Sequence, residues 1–223
     1  MHGDGTPVEA HLRELAVRLH GPARLRTELL TEARDALHDA AEAYRAEGLS
    51  GQDAERRAVA EFGSADRLVP AYQAELAAGA LRRFAVRGLA VASVLIVGGD
   101  LTWQGSSWDR DGSHPPAGFL LLSSTLNHAW VVAAVLAAAG LLVLTRAARR
   151  GEPGLPPAAR LIGLGLTGAL VVGAVAGSAL YLWSVGLWDA ALTWPPMIIG
   201  PLVVGAALTN LGRAAHGWLR TAR

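Results

Sequence analysis

The chain has 223 residues, 52% hydrophobic and 17% charged, and contains no cysteine, which excludes disulfides, thiolate metal centres and cysteine nucleophiles. Its formal net charge of +1 is the sum of two unlike parts. Residues 1–80 hold 14 Asp/Glu and 9 Arg, a net of −5, whereas residues 81–223 hold 5 acids and 11 Arg, a net of +6. No basic stretch leads into an apolar one at the N-terminus, so no cleavable signal peptide is expected. Residues 1–80 read as a domain left in water on the cytoplasmic side.

In that domain, Val8–His20 has the pattern of a short amphipathic helix, with Leu12, Leu15, Val17 and Leu19 as its apolar residues. Gly21-Pro22 stops it, and proline suits the first turn of the next helix. Leu25, Leu29, Ala33, Leu37, Ala40 and Tyr44 repeat every three or four positions from Ala23 to Glu47, predicting one buried face. Arg24, Arg26, Glu28, Glu32, Arg34, Asp35, Asp39, Glu42 and Arg45 make the opposite face. Gly48 supplies a helix end. Ser50 caps a third helix, with Asp53 three positions on, and Ala54, Ala58, Val59 and Phe62 inward until Gly63. Ser64 opens a last helix with Leu68, Val69, Tyr72 and Leu76 on its apolar side, and Pro70 is expected to bend or delay its start.

Gly48-Leu49-Ser50, then Asp53-Ala54-Glu55-Arg56-Arg57-Ala58-Val59-Ala60-Glu61-Phe62-Gly63, follow a helix carrying Glu28-Leu29-Leu30 and Glu32-Ala33-Arg34-Asp35. This stretch, from about Val8 to Leu76, resembles the helical module called the HAAS signalling domain or permease prefix domain 1. The resemblance implies a bacterial membrane protein of the small stand-alone kind, partnered with a PadR-type transcription regulator. Too few residues follow position 80 for the large ABC-type permease that other variants carry. A net of −5 argues against direct DNA binding, which needs a basic patch, so gene control would act through the partner.

Four apolar segments follow, predicting spans at about 84–103, 126–145, 161–185 and 195–212, each near the 20 residues that cross a hydrocarbon core. Arg87 belongs at a membrane edge, because an arginine at mid-bilayer costs roughly 2.5–3.5 kcal/mol. Four crossings would put Arg82, Arg83, Arg87, Arg146, Arg149, Arg150, Arg160, Arg213, Arg220 and Arg223 on one side and only Arg110 on the other. That asymmetry makes both termini cytoplasmic. Trp103, Trp108, Trp130, Trp183, Trp188 and Trp194 fall near the outer boundary, and Trp218 with the tail arginines is expected at the inner headgroups. Gly165, Ala169, Gly173 and Gly177 form a small-residue stripe for close helix packing, facing Ala133, Ala137 and Leu141, with a homodimer contact as the alternative.

Chemistry-bearing residues are few. Asp100, His128 and Asp189 lie near outer span ends, and Asp109, Asp111 and His114 fall in the loop after the first span. Their spacing matches no metal site, and no phosphate loop, nucleophile elbow or HExxH pattern occurs. No carboxylate or arginine lies deep in a span, as carriers require. The expected fold is all-α: a helical domain at 1–80, then a four-helix transmembrane domain at 81–223. The expected function is non-enzymatic membrane signalling, with no catalytic, cofactor or metal residues, docking a PadR-like regulator. The alternative is an accessory membrane subunit of an ABC-type or other transporter. An intramembrane enzyme is disfavoured by the missing catalytic constellation.

Overall fold

The computed structural model describes residues 5–103, 116–151, 155–187 and 195–221, the side chains of 100–103, 187 and 195–197 excepted. Its helices are α1 Pro7–Arg18, α2 Ala23–Ala46, α3 Gly51–Phe62, α4 Ala65–Trp103, α5 Ala117–Arg150, α6 Pro157–Leu187 and α7 Pro195–Thr221. The all-α expectation holds, with no strand among the described residues. Close contacts define two compact units. One, here the head, comprises Met1–Ala80, Glu152–Leu155 and Gly217–Arg223; the other, the apolar unit, comprises Leu81–Gly151 and Pro156–His216.

The head is built around two adjoining cores. Val8, Leu12, Ala33, Leu37, Ala41 and Ala58 form the first, with Tyr44 and Phe62 packed at its edge. Leu15, Leu19, Leu29, Ala65 and Leu76 form the second. Thr6 caps α1 by accepting from Glu9 N at 3.4 Å, ahead of Pro7 in the first turn. Val17 departs from expectation: it is 78% exposed, because it lies about 200° around the helix from the buried Leu15. His11 takes a place inside, its ring edge-on to Phe62 at 6.2 Å. Ser50 caps α3 through Asp53 N. Gly48 and Gly63 stand at φ of 100° and 107°, which L side chains avoid, and they end α2 and α3 as expected. Pro70 does not delay α4. The Ser64 carbonyl accepts from Arg67 and Leu68 to start the helix at Ala65, and proline in the second turn forfeits a single backbone bond. The helix then continues through Ala77–Arg83 without interruption.

Among the described residues, three helices are long and apolar enough to cross a membrane: Ala117–Arg150, Pro157–Gly186 and Ile198–Thr221. The first begins well before the expected 126, because Ser123, Ser124 and Thr125 are absorbed into α5, where Thr125 Oγ1 donates to Leu121 O at 2.9 Å. α5 and α6 pack closely through small residues. Ala129, Ala133, Ala137 and Gly140 are buried on α5. Opposite them, a Cβ on Gly165 would lie 3.3 Å from Leu136, and one on Gly177 would lie 3.6 Å from Leu126. Gly173 is the tightest point: a Cβ there would sit 2.8 Å from the Trp130 ring. The stripe is therefore spent within the chain, on α5. α4 contributes Leu81, Phe84, Ala85, Gly88 and Ala92 as a buried seam at helical spacing, with Gly88 against Leu166.

Gly173→Val should lower thermal stability in detergent by roughly 1–3 kcal/mol, since Trp130 cannot yield without opening the α5–α6 seam. Gly168→Val, at a position with open space around it, should change it little. Equal effects would contradict the packing described.

Candidate functional site

Of the outer polar residues, His128 alone has a described side chain. Asp100, Asp109, Asp111, His114 and Asp189 lie outside the described side chains. His128 is exposed on α5, and its Nδ1 is 2.6 Å from the carbonyl of Ser124, one turn earlier on the same helix. That ring nitrogen donates to its own backbone, leaving only Nε2 for another role. Among the described residues, no group of three or more His, Asp or Glu is placed to hold a metal ion.

Of the six tryptophans expected near the outer boundary, Trp130 and Trp183 have described side chains, and the other four lie outside them. Trp130 is buried, its ring lying over Gly173. Trp183 packs edge-to-face on Phe119 at 6.0 Å and lies against Gly118. Both serve packing within the apolar unit. Trp218 is 0% exposed and belongs to the head, so the expectation of a headgroup anchor there is corrected.

The head presents one coherent chemical surface. Glu28, Glu32, Asp35, Asp39 and Glu42 recur at alternating steps of four and three, placing five carboxylates on the exposed side of α2. They span about 21 Å at 1.5 Å per residue. The sequence gives α2 a mixed charged face, but the structure sorts it. Arg34 turns to Glu9 on α1, with nitrogen–oxygen distances of 3.1 and 3.3 Å. Arg45 reaches Glu55 on α3 at 3.5 Å, and Arg26 reaches the carbonyl of Leu19. Arg24 stays beside Glu28 at 2.8 Å. Three arginines are thus drawn into ties with neighbouring segments, and the stripe from Glu32 to Glu42 carries no ion pair among the described residues. Sequence periodicity locates the acids; it cannot show which way long arginine side chains will turn.

Those ties set the head's acid response. The Arg34 guanidinium holds the Glu9 carboxyl below its ordinary 4.5. Ser50, with Arg56, holds Asp53 below its ordinary range, and the Tyr44 hydroxyl, with Arg57, does the same for Glu61.

A second feature lies in the apolar unit: a cleft of about 790 Å³, lined among others by Val94, Leu126, Trp130, Tyr181, Ile199 and Val203. Its two lining serines are engaged by their own helix, with Ser178 Oγ donating to Ala174 O and Ser184 Oγ to Leu180 O, each at 2.8 Å. Such a cleft offers shape and apolar contact, with no group aimed to activate a substrate.

The third feature is the join between the tail and the rest of the head. The Gln73 side chain accepts from His20 N at 3.0 Å, donates to His20 O at 2.7 Å and also reaches Thr221 O at 3.5 Å. Gly21 faces Thr221 so closely that a Cβ would lie 2.8 Å from its methyl group, and Gly217 faces Pro22. Nothing in the spacing of residues 213–221 announces this contact. Compared with known proteins, the chain matches no family model, no curated protein and no solved structure.

The three depressed carboxyls add stability that is present above their unfolded pKa values and is lost as pH falls through the folded ones. Head melting, followed in the intact protein, should therefore drop on acidification from about pH 6 to about pH 3. Glu9→Gln should lower stability at the higher pH and flatten the drop. A melting temperature that stays level or rises in acid would contradict the assignment.

Proposed function

We propose that this chain is a non-enzymatic membrane regulator whose head docks a basic protein partner, of the PadR-like transcription-regulator kind, at the cytoplasmic face. The single observation that carries the reading is the carboxylate stripe of α2, exposed over about four turns while the neighbouring arginines turn aside. A DNA-binding protein must present clustered positive charge to phosphates, and a row of carboxylates on a rigid helix competes for the same surface. Docking would sequester the regulator from DNA, and release would restore it. The resemblance of residues 8–76 to the HAAS, or permease prefix, module supports the same partner class.

The proposed topology has four crossings, with both termini cytoplasmic. Its support is a parity argument. Gly217–Arg223 belong to the same compact unit as residues 1–80, which supports an even number of crossings for the chain between them. Three of the described helices qualify on apolarity alone, and in this reading the Leu81–Trp103 part of α4 is taken as the fourth crossing. Ten arginines against one across such a topology agree with the positive-inside rule.

The apolar cleft favours one second reading, an accessory transporter subunit that seats a partner's membrane helix or an apolar ligand. The test should use the intact chain, because the head includes its own C-terminal residues. In lipid nanodiscs, the protein is expected to retain a PadR-like regulator encoded beside its gene. Replacing Glu32, Asp35 and Asp39 by Arg should weaken retention at least about tenfold, and added salt should act in the same direction. Retention unaffected by charge reversal would overturn the docking surface. Copurification with an ATPase and no regulator would favour the second reading.

A further inference from the structure

We infer that the cleft of the apolar unit is a site for one membrane phospholipid, whose acyl chains fill it and whose ester carbonyl accepts from Tyr181. The inference rests on the reading of this unit as membrane-spanning and on neither proposed partner. Every residue that lines the cleft falls between Val94 and Leu208, inside the apolar unit itself.

The dimensions select the occupant. On α6 the lining runs from Gly173 to Ser184, about 16 Å at 1.5 Å per residue. On α7 it runs from Ile199 to Leu208, about 14 Å. A hydrocarbon core of about 30 Å gives each leaflet about 15 Å, so the cleft is one leaflet long. At Gly173, where the α6 lining ends, the ring of Trp130 closes on the helix. Carbon atoms touch at about 3.5–4.0 Å, so an acyl chain is about 4–5 Å across, and 16 Å of it fills roughly 200–300 Å³. The volume of about 790 Å³ holds two such chains side by side. A helix about 10–12 Å across would need more than about 1,200 Å³ over the same length. The cleft is too small for a partner's helix and the right size for a lipid.

The chemistry of the walls agrees. No Asp, Glu, Arg or His lines the cleft, so a charged headgroup has to remain outside it. Its polar side chains, Ser178, Tyr181 and Ser184, all lie in the last ten residues of α6. The two serines bond their own helix, but the half-buried Tyr181 hydroxyl makes no hydrogen bond among the described residues. A phenol drawn out of water ordinarily keeps a partner for its O–H, and an ester carbonyl is such an acceptor. Tyr181 lies six residues, about 9 Å, from the end of α6, on the side where the interfacial layer begins. The walls are also kept apart by missing side chains. Gly99, Gly200 and Gly205 line the cleft, and a Cβ on any of them would meet nothing within 4 Å. Gly173 and Gly177, by contrast, are spent on α5.

The intact protein, reconstituted in vesicles of phosphatidylethanolamine and phosphatidylglycerol and re-extracted in mild detergent, should retain a single phospholipid per chain by native mass spectrometry. Gly99→Leu and Gly205→Leu place side chains where nothing obstructs them, and leucine is the better helix former, so both should fold. Each should retain at least about fivefold less lipid, because the added side chain occupies the chains' space. Gly168→Leu, exposed and outside the cleft, should retain the wild-type amount. Tyr181→Phe should lower retention about fivefold through loss of one hydrogen bond. Wild-type retention in both cleft glycine variants, equal loss in Gly168→Leu, or a second copy of the chain bound in place of lipid would overturn the site. Wild-type retention in Tyr181→Phe would overturn the ester contact. Alkaline carbonate extraction separates the premises. A chain stripped from the vesicles would overturn the membrane reading together with the site, whereas a resistant chain that retains no lipid would overturn the site alone.

Discussion

The burial of Trp218 and Thr221 within the head constrains everything else in this molecule. Backbone polar groups in hydrocarbon must be paired internally, so the chain can traverse a bilayer only as whole helices. In the proposed topology, a chain whose two ends share one packed unit comes back to the side it left. The arginine asymmetry and the length of the apolar segments then fit together with little freedom. The reading with four crossings rests on that closure, with α4 as the helix that leaves the head and α7 as the one that returns to it.

The two units are stabilised by different physics. In the head, Leu, Val and Ala side chains bury apolar area away from water around two cores, and truncation of a residue such as Leu37 would cost about 2–5 kcal/mol. In a bilayer, the surroundings of the apolar unit would be as apolar as its helices, so burial would provide little and close approach more. Gly140, Gly165 and Gly173 lie where a Cβ would meet a neighbouring side chain within 3.3 Å, and the large ring of Trp130 fills the gap that Gly173 leaves. The charged groups of the head tie helices together through Glu9–Arg34, Arg45–Glu55 and Arg18–Asp66, leaving the acids of α2 facing outward. The proposed docking face is thus a by-product of how the arginines are spent.

Much of this architecture is legible in the amino-acid order. The 3.6-residue repeat places Leu29, Ala33 and Leu37 inside, and Gly48, Ser50 and Gly63 mark helix ends by their backbone chemistry. The small-residue stripe of α6 announces its partner face. Other features escape a local reading because their causes are not local. Val17 is apolar yet lies on the wrong side of a short helix. Ser123–Thr125 look like a break before a span, but the helix runs through them, and the Thr125 hydroxyl bonds back to the Leu121 carbonyl. Trp218 beside arginines has the composition of a headgroup anchor, and only the fold brings Gly21, Pro22 and Gln73 to the tail that buries it.

The central claim is that the head and the last helix end on the same side of a membrane crossed four times. Single cysteines placed at Gly51, Gly112 and Arg220 of this cysteine-free chain can be probed in intact cells with a membrane-impermeant maleimide. The account predicts labelling at Gly112 from outside, with Gly51 and Arg220 reacting only after the membrane is opened. Protection of Gly112, or opposite behaviour of Gly51 and Arg220, would contradict it.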